Sequence, residues 1–158
     1  MNNEKSDGGL EELRFQTETI NGRDLLKQIL VDGDPDIRFL PIDQGGVFYF
    51  SPLHEFSEIR KEGVYYSLLK LNGLIVGIAQ VEINPRDSTV LWLKSVSVDL
   101  NLKGQRYSEK LLREVFAFAK SMNFTLHLSK FTTEGAERLE HQIKRLAHEF
   151  SIVVTSDR

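Results

Sequence analysis

Basic residues flank a glycine where the chain leaves one apolar run and enters another. TVLWLKSVSV ends at Val98, the loop DLNLKGQRY carries Lys103, Gly104, Gln105 and Arg106, and SEKLLREVFAFAKSM then repeats apolar residues at helical spacing. A strand feeding a helix through such a loop aims the helix's unpaired N–H groups and positive dipole end at whatever lies beyond the strand. That arrangement suits a phosphate. Lys110 and Arg113 follow on roughly the helical face that meets the loop. With Lys103 and Arg106 they supply enough positive charge for a pyrophosphate.

The strand and the helix that must position this loop can both be read from period. In the strand, Leu91 and Leu93 are spaced by two, but Val96 and Val98 are out of phase with them by one residue. A slip of that kind is what a β-bulge produces, and a bulge frees backbone groups to meet a ligand. In the helix expected over 108–122, Leu111, Leu112, Val115, Phe118, Ala119 and Met122 form one apolar stripe.

The stretch resembles the acyl-CoA-binding motif of the GNAT acetyltransferase superfamily, V-x-x-x-x-[RQ]-x-x-G-x-[GA] followed by an amphipathic helix. Val98, Lys103, Gly104, Gln105, Arg106, Tyr107 and Ser108 fall on its positions. Lys103 stands where Arg or Gln is usual, Arg106 where glycine is usual, and Ser108 where Gly or Ala is usual. Arg106 therefore has two readings: it crowds the backbone's approach to the pyrophosphate, or its guanidinium pairs with phosphate. A solvated basic helix face is the plain alternative to both.

The resemblance implies acetyl-CoA as co-substrate, an amine acceptor, no metal and no covalent intermediate. The amine attacks the thioester, a base takes a proton, and donors hold the tetrahedral oxyanion. Backbone groups around Val96, Ser97 and Val98 would hold the pantetheine arm and the thioester oxygen, and those from Lys103 to Ser108 would cradle the pyrophosphate. Ser129 would bind the pantetheine; its plainer role, like that of Thr132, is to cap the next helix. The family's frequent glutamate before the motif falls near Val90, and its tyrosine after the A-x-x-L of the last helix, here Ala136 and Leu139, falls on Glu140. Glu140 can donate a proton only if burial raises its pKa. Glu82 is the best base candidate, since a turn over 84–89 would set it beside the bulged strand; its plainer reading is a solvent-facing strand residue. His54 and His127 are further candidates, and His127, alternating with Leu126 and Leu128, more simply has a structural role. A catalytically silent module binding acyl-CoA or a protein partner is the alternative to the enzyme.

Composition narrows the rest. The 158 residues suffice for one domain with a sizeable core, and 41% apolar with 27% charged residues is ordinary for a soluble globular protein. A net charge of -3 offers no general attraction to nucleic acid or anionic membrane. The chain has no cysteine, which excludes disulfides, thiolate catalysis and cysteine-ligated metal sites. No apolar run reaches the roughly 18 residues of a membrane span, and the polar start lacks a signal peptide's apolar region, so a cytoplasmic protein is expected.

Taken in order, residues 1–9 read as a flexible leader and 10–158 as a single domain. A strand is expected over 10–19, a helix over 23–31, and a broken strand-like stretch over 36–51, where Phe48, Tyr49, Phe50 and His54 are acceptor-side candidates and the aromatic residues more simply core. A short helix capped by Ser51 or Ser57 reaches Lys61. YYSLLKL, Asn72-Gly73 and LIVGIAQVEIN form a hairpin, because Asn-Gly supplies both positive-φ residues of a type I′ turn. A turn over 85–88 leads into the bulged strand, and after the helix FTLHLS returns as a strand, which implies a right-handed parallel crossover. A last helix ends near Phe150 with Leu139, Ile143, Leu146 and Ala147 inward, and SIVVTS closes the chain. The expected class is α/β (α+β): an antiparallel meander followed by a strand–helix–strand crossover in one mixed sheet, the element order of the GNAT fold. The last helix's alternating charges read as a salt-paired face or as a contact for a homodimer.

Overall fold

The computed structural model describes residues 14–31, 37–39, 48–50, 61–98, 107–128 and 136–156. The expected leader, the helix before Lys61, His54, the loop residues Lys103, Gly104, Gln105 and Arg106, and Ser129 and Thr132 lie outside the described residues. The elements are β1 (Phe15–Asn21), α1 (Gly22–Val31), β2 (Ile37–Phe39), β3 (Phe48–Phe50), β4 (Val64–Leu71), β5 (Leu74–Ile83), β6 (Val90–Val98), α2 (Tyr107–Ser121), β7 (Thr125–Leu128), α3 (Ala136–Phe150) and β8 (Val154–Ser156). Six strands make one mixed sheet in the order β1–β4–β5–β6–β7–β8, and β2 and β3 pair separately. The pairs β1–β4, β4–β5 and β5–β6 are antiparallel, whereas β6–β7 and β7–β8 are parallel. The meander and the crossover are therefore both present.

Local sequence accounts for the turns. Asn72 (φ 52°) and Gly73 (φ 86°) both lie in the positive-φ region, which fixes the β4–β5 hairpin. Asn72 also ties the hairpin to β1, its Oδ1 accepting from the Arg14 N–H at 2.9 Å. Of the expected first strand, residues 10–13 lie outside the described residues; the described part runs from Phe15 to Asn21, two residues past the expected end, with Phe15 opposite Leu71 and Asn21 opposite Tyr65 of β4. Asn21 then ends the strand and starts α1, its Oδ1 accepting from the Asp24 N–H at 2.8 Å as an N-cap.

The main core lies between the sheet and the α2–α3 pair. Leu69, Ala79, Val81, Leu91, Leu93, Val98, Leu126 and Leu128 from the strands meet Leu111, Leu112, Val115, Phe116, Ile143 and Leu146 from the helices. Two details of the α2 stripe differ from the periodic reading: Phe116 is fully buried and Met122 is half exposed. Met122 falls past the last turn of α2, where the chain bends at Asn123 (φ 63°) towards β7. On the opposite face, Leu25 of α1 and Val64, Tyr66, Leu68 and Ile78 are buried. Strand alternation puts each of those strand residues back to back with the main core.

Candidate active site

The phase slip in β6 is a bulge, and it falls on Lys94. Gln80 is opposite Ser95 and Val81 opposite Leu93, so Lys94 is the extra residue. Up to that point β6 is paired on both sides, Val90 to Leu93 running beside Thr125 to Leu128 of β7. Beyond it, Val96 to Val98 stay paired to β5 but have no β7 partner among the described residues. The bulge interrupts the regular β5–β6 ladder at Lys94, and at such a break a strand's backbone groups can turn from a neighbouring strand to a ligand.

Val98 itself is buried and packs its Cγ2 against the place where a Cβ on Gly77 would stand, at 3.4 Å. Gly77 permits this close approach between β5, β6 and Leu111 of α2. The described first turn of α2 starts at Tyr107, and its orphan N–H groups are those at the end that follows the loop in sequence. Only the backbone of Tyr107 is offered there, because its ring is buried and stacks on Phe15 with centroids 4.9 Å apart. The Ser108 hydroxyl donates to Gln142 Oε1 at 3.3 Å, tying α2 to α3.

Two of the four expected basic residues are engaged elsewhere. Arg113 pairs with Glu149 through both terminal nitrogens, at 2.5 and 3.0 Å, and lies 3.4 Å from Glu109. That hydrogen bond to Glu149 holds the guanidinium pKa above, and the Glu149 carboxyl below, their ordinary values. Lys110 sits over the Phe15 ring, 5.0 Å from its centroid. Helical spacing alone gave neither contact, since both partners come from other elements, α3 and β1.

On the face opposite the main core, the strands bring separate candidates into one row. Glu82 is opposite Trp92 across β5–β6, and Trp92 is opposite His127 across β6–β7. Thr155 of β8 continues the row, 2.6 Å from His127 Nδ1. Glu82 is not a solvent-facing residue: it is 2% exposed. Burial of a carboxylate requires charged or hydrogen-bonded company. Here Lys61 Nζ lies 2.8 Å from Oε2 and Lys94 Nζ 3.6 Å from Oε1. Lys94 also stacks its ammonium over Trp92, 5.3 Å from the ring centroid. Glu140 stands apart from this row, in the first turns of α3, half-buried and with its Oε1 shielded from solvent. Val90 opens β6 at the strand end remote from the bulge.

Sequence reasoning missed Lys61, Lys94 and Trp92. The signal for Lys94 was present, a lysine seated where the strand's phase slips. Lys61 carried none, because only the pairing of Val64 with Glu82 carries the chain before β4 to this site. Among the described residues no group of three or more His, Cys, Asp or Glu side chains is arranged to hold a metal ion. None of the described helices is long and apolar enough to cross a membrane.

Residues 35–140 match the sequence profile of the acetyltransferase (GNAT) family. The chain belongs to that family. GNAT enzymes transfer acyl groups and draw them from coenzyme A thioesters. No curated protein matches the sequence. Among solved structures, the ribosomal-protein-S18-alanine N-acetyltransferase from Escherichia coli shares 15% identity and a TM-score of 0.57, covering 84% of this chain and 76% of that one. The diaminobutyrate acetyltransferase from Paenibacillus lautus, solved with diaminobutyric acid and coenzyme A, shares 15% identity and a TM-score of 0.56 over 87% of this chain and 76% of that one. An aminoglycoside acetyltransferase from an uncultured soil metagenomic sample, solved with sisomicin, shares 16% identity and a TM-score of 0.53 over 82% and 86%. At these identities the GNAT fold is what is shared.

Proposed function

We propose that this GNAT protein moves an acetyl group from acetyl-CoA to an amine by direct attack in a ternary complex. The bulge at Lys94 carries the reading, because it interrupts the β5–β6 ladder on the strand that leads into α2. In this reading, the backbone of Val96, Ser97 and Val98 hydrogen-bonds the pantetheine arm and polarises the thioester carbonyl. The first-turn N–H groups of α2 at Tyr107 and Ser108, with Lys103, Gly104, Gln105 and Arg106 before them, take the pyrophosphate. Ser129, which follows β7 in the chain, is a further contact for the pantetheine in this reading. The tight seat of Val98 against Gly77 supports this fit, since it holds the bulged strand rigidly to α2.

Glu82 accepts the amine's proton and Glu140 supplies one to the departing thiol. The acceptor is a small or peptidyl amine; diaminobutyric acid and the aminoglycoside sisomicin, found with the two relatives above, head the panel to be tried. A second reading, a module that binds acyl-CoA without turning it over, is favoured by the two lysines already engaging Glu82.

Calorimetric titration with acetyl-CoA, beside a Gly104→Glu variant that puts a carboxylate in the cradle, tests the cofactor site. Wild type is expected to bind and the variant not to; failure of both removes the cofactor from the reading. Thiol release with the amine panel then separates the two readings. Glu82→Gln is expected to lower that release about 10²-fold while keeping acetyl-CoA affinity. An unchanged rate moves the base elsewhere, and no release by wild type across the panel leaves the silent module.

A further inference from the structure

Of the amines in the described part of the molecule, Lys61 has a distinctive position. Its Nζ lies 2.8 Å from Glu82 Oε2, hydrogen-bonding distance, while its side chain is 48% exposed and Glu82 only 3%. An acceptor amine about to lose a proton to Glu82 would need this same contact. The other oxygen of Glu82 faces Lys94, the bulge residue, at 3.6 Å. One carboxylate therefore reaches from Lys61 to the bulge at which the acetyl-transfer reading places the thioester. Lys94 is held back by Trp92 beneath its ammonium, whereas Lys61 arrives from the chain just before β4 and retains access to solvent.

We infer that Lys61 is a self-acetylation site: in the absence of an external acceptor, its amine takes the acetyl group in the enzyme's own active site. The inference rests on the acetyl-transfer reading above. One Nζ proton passes to Glu82 Oε2, and the neutral amine forms the N–C bond to the thioester carbonyl. The C–S bond breaks as Glu140 protonates the leaving thiolate, the second Nζ proton restores Glu140 through solvent, and Glu82 returns its proton to water. The products are an Nε-acetyl-lysine and free coenzyme A. The acetylated side chain loses its charge and with it the ion pair to Glu82, so the carboxylate is released for an external amine.

Full-length protein is incubated with acetyl-CoA alone, and peptide mass spectrometry follows acetylation of every lysine with time. Lys61 is expected to be modified about 10²-fold faster than the exposed Lys120 and Lys144, at a rate independent of protein concentration. Glu82→Gln should bring Lys61 down to the rate of those surface lysines. Lys94→Gln, which keeps the Lys61–Glu82 contact, should leave Lys61 the fastest site and guards against a folding defect in the first variant. Labelling of Lys61 no faster than Lys120 overturns the inference. If external amines still release thiol in that case, only the self-acetylation falls; if acetyl-CoA neither binds nor reacts, the acetyl-transfer reading falls with it.

Discussion

The two faces of the β4–β5–β6 sheet come from the same alternating strands and hold opposite contents. Beneath α2 and α3 the face is apolar, interrupted by a hydrogen-bonded polar cluster in which Thr19 donates to Glu114 at 2.8 Å and shares a 2.7 Å hydrogen bond with Ser67. Across the sheet, within one residue of those core positions, stand Glu82, Trp92, Lys94 and His127. The first face is mostly apolar, whereas the second adds to its own buried residues a carboxylate whose burial two lysines offset. The two faces meet in β6, whose bulge lets Val96 and Val98 stay in the core while Lys94 reaches Glu82.

Substitutions can separate these faces. Phe116→Ala removes a fully buried ring beneath the sheet and is expected to cost about 3–5 kcal/mol in denaturant unfolding, with little change in acetyl-CoA affinity for the molecules that remain folded. A cost comparable to that of a surface change would mean the core is not organised around α2. Gly77→Val tests the junction of the two faces. Its Cβ would stand 3.3 Å from Leu69 Cβ and 3.4 Å from both Leu111 Cδ2 and Val98 Cγ2. Overpacking of about 1–3 kcal/mol is expected, together with weaker acetyl-CoA binding as Val98 shifts; a stability loss without the binding change would separate Gly77 from the slot.

The smallest effects belong to exposed ion pairs. A hydrogen bond from Lys70, 2.7 Å away, holds the Glu18 carboxyl below its ordinary range, and Arg113 does the same to Glu149. A depressed carboxyl pKa stabilises the fold fully above the unfolded value of about 4.3 and ceases to do so as pH falls through the folded one. Glu18→Gln should therefore unfold earlier than wild type near pH 6 and converge with it in acid. A difference that persists below pH 3 would show that packing, not charge, is what the variant lost.

Much of the frame was legible because its signals are local. Asn72-Gly73 names its own turn, the slip between Leu93 and Val96 marks the bulge, and the spacing in 108–121 gives α2. The error over Phe116 and Met122 has an equally local cause: a stripe gives the direction of a helix face, but the helix end and the neighbouring element decide its edges. The contacts of Arg113 and Lys110 were not legible for a longer-range reason, since Glu149 and Phe15 are remote in sequence.

The sequence by itself determined the meander, the crossover helix and a strand with a break in phase, because these depend on backbone preferences and on period within a dozen residues. Only the tertiary structure decided that Glu82 is buried, that Lys61 and Lys94 hold it, and that Trp92 stands between it and His127. Alternation along one strand says which residues share a face but not whether that face is covered. Covering it takes strands whose partners are distant in the chain, and their register sets which charges meet.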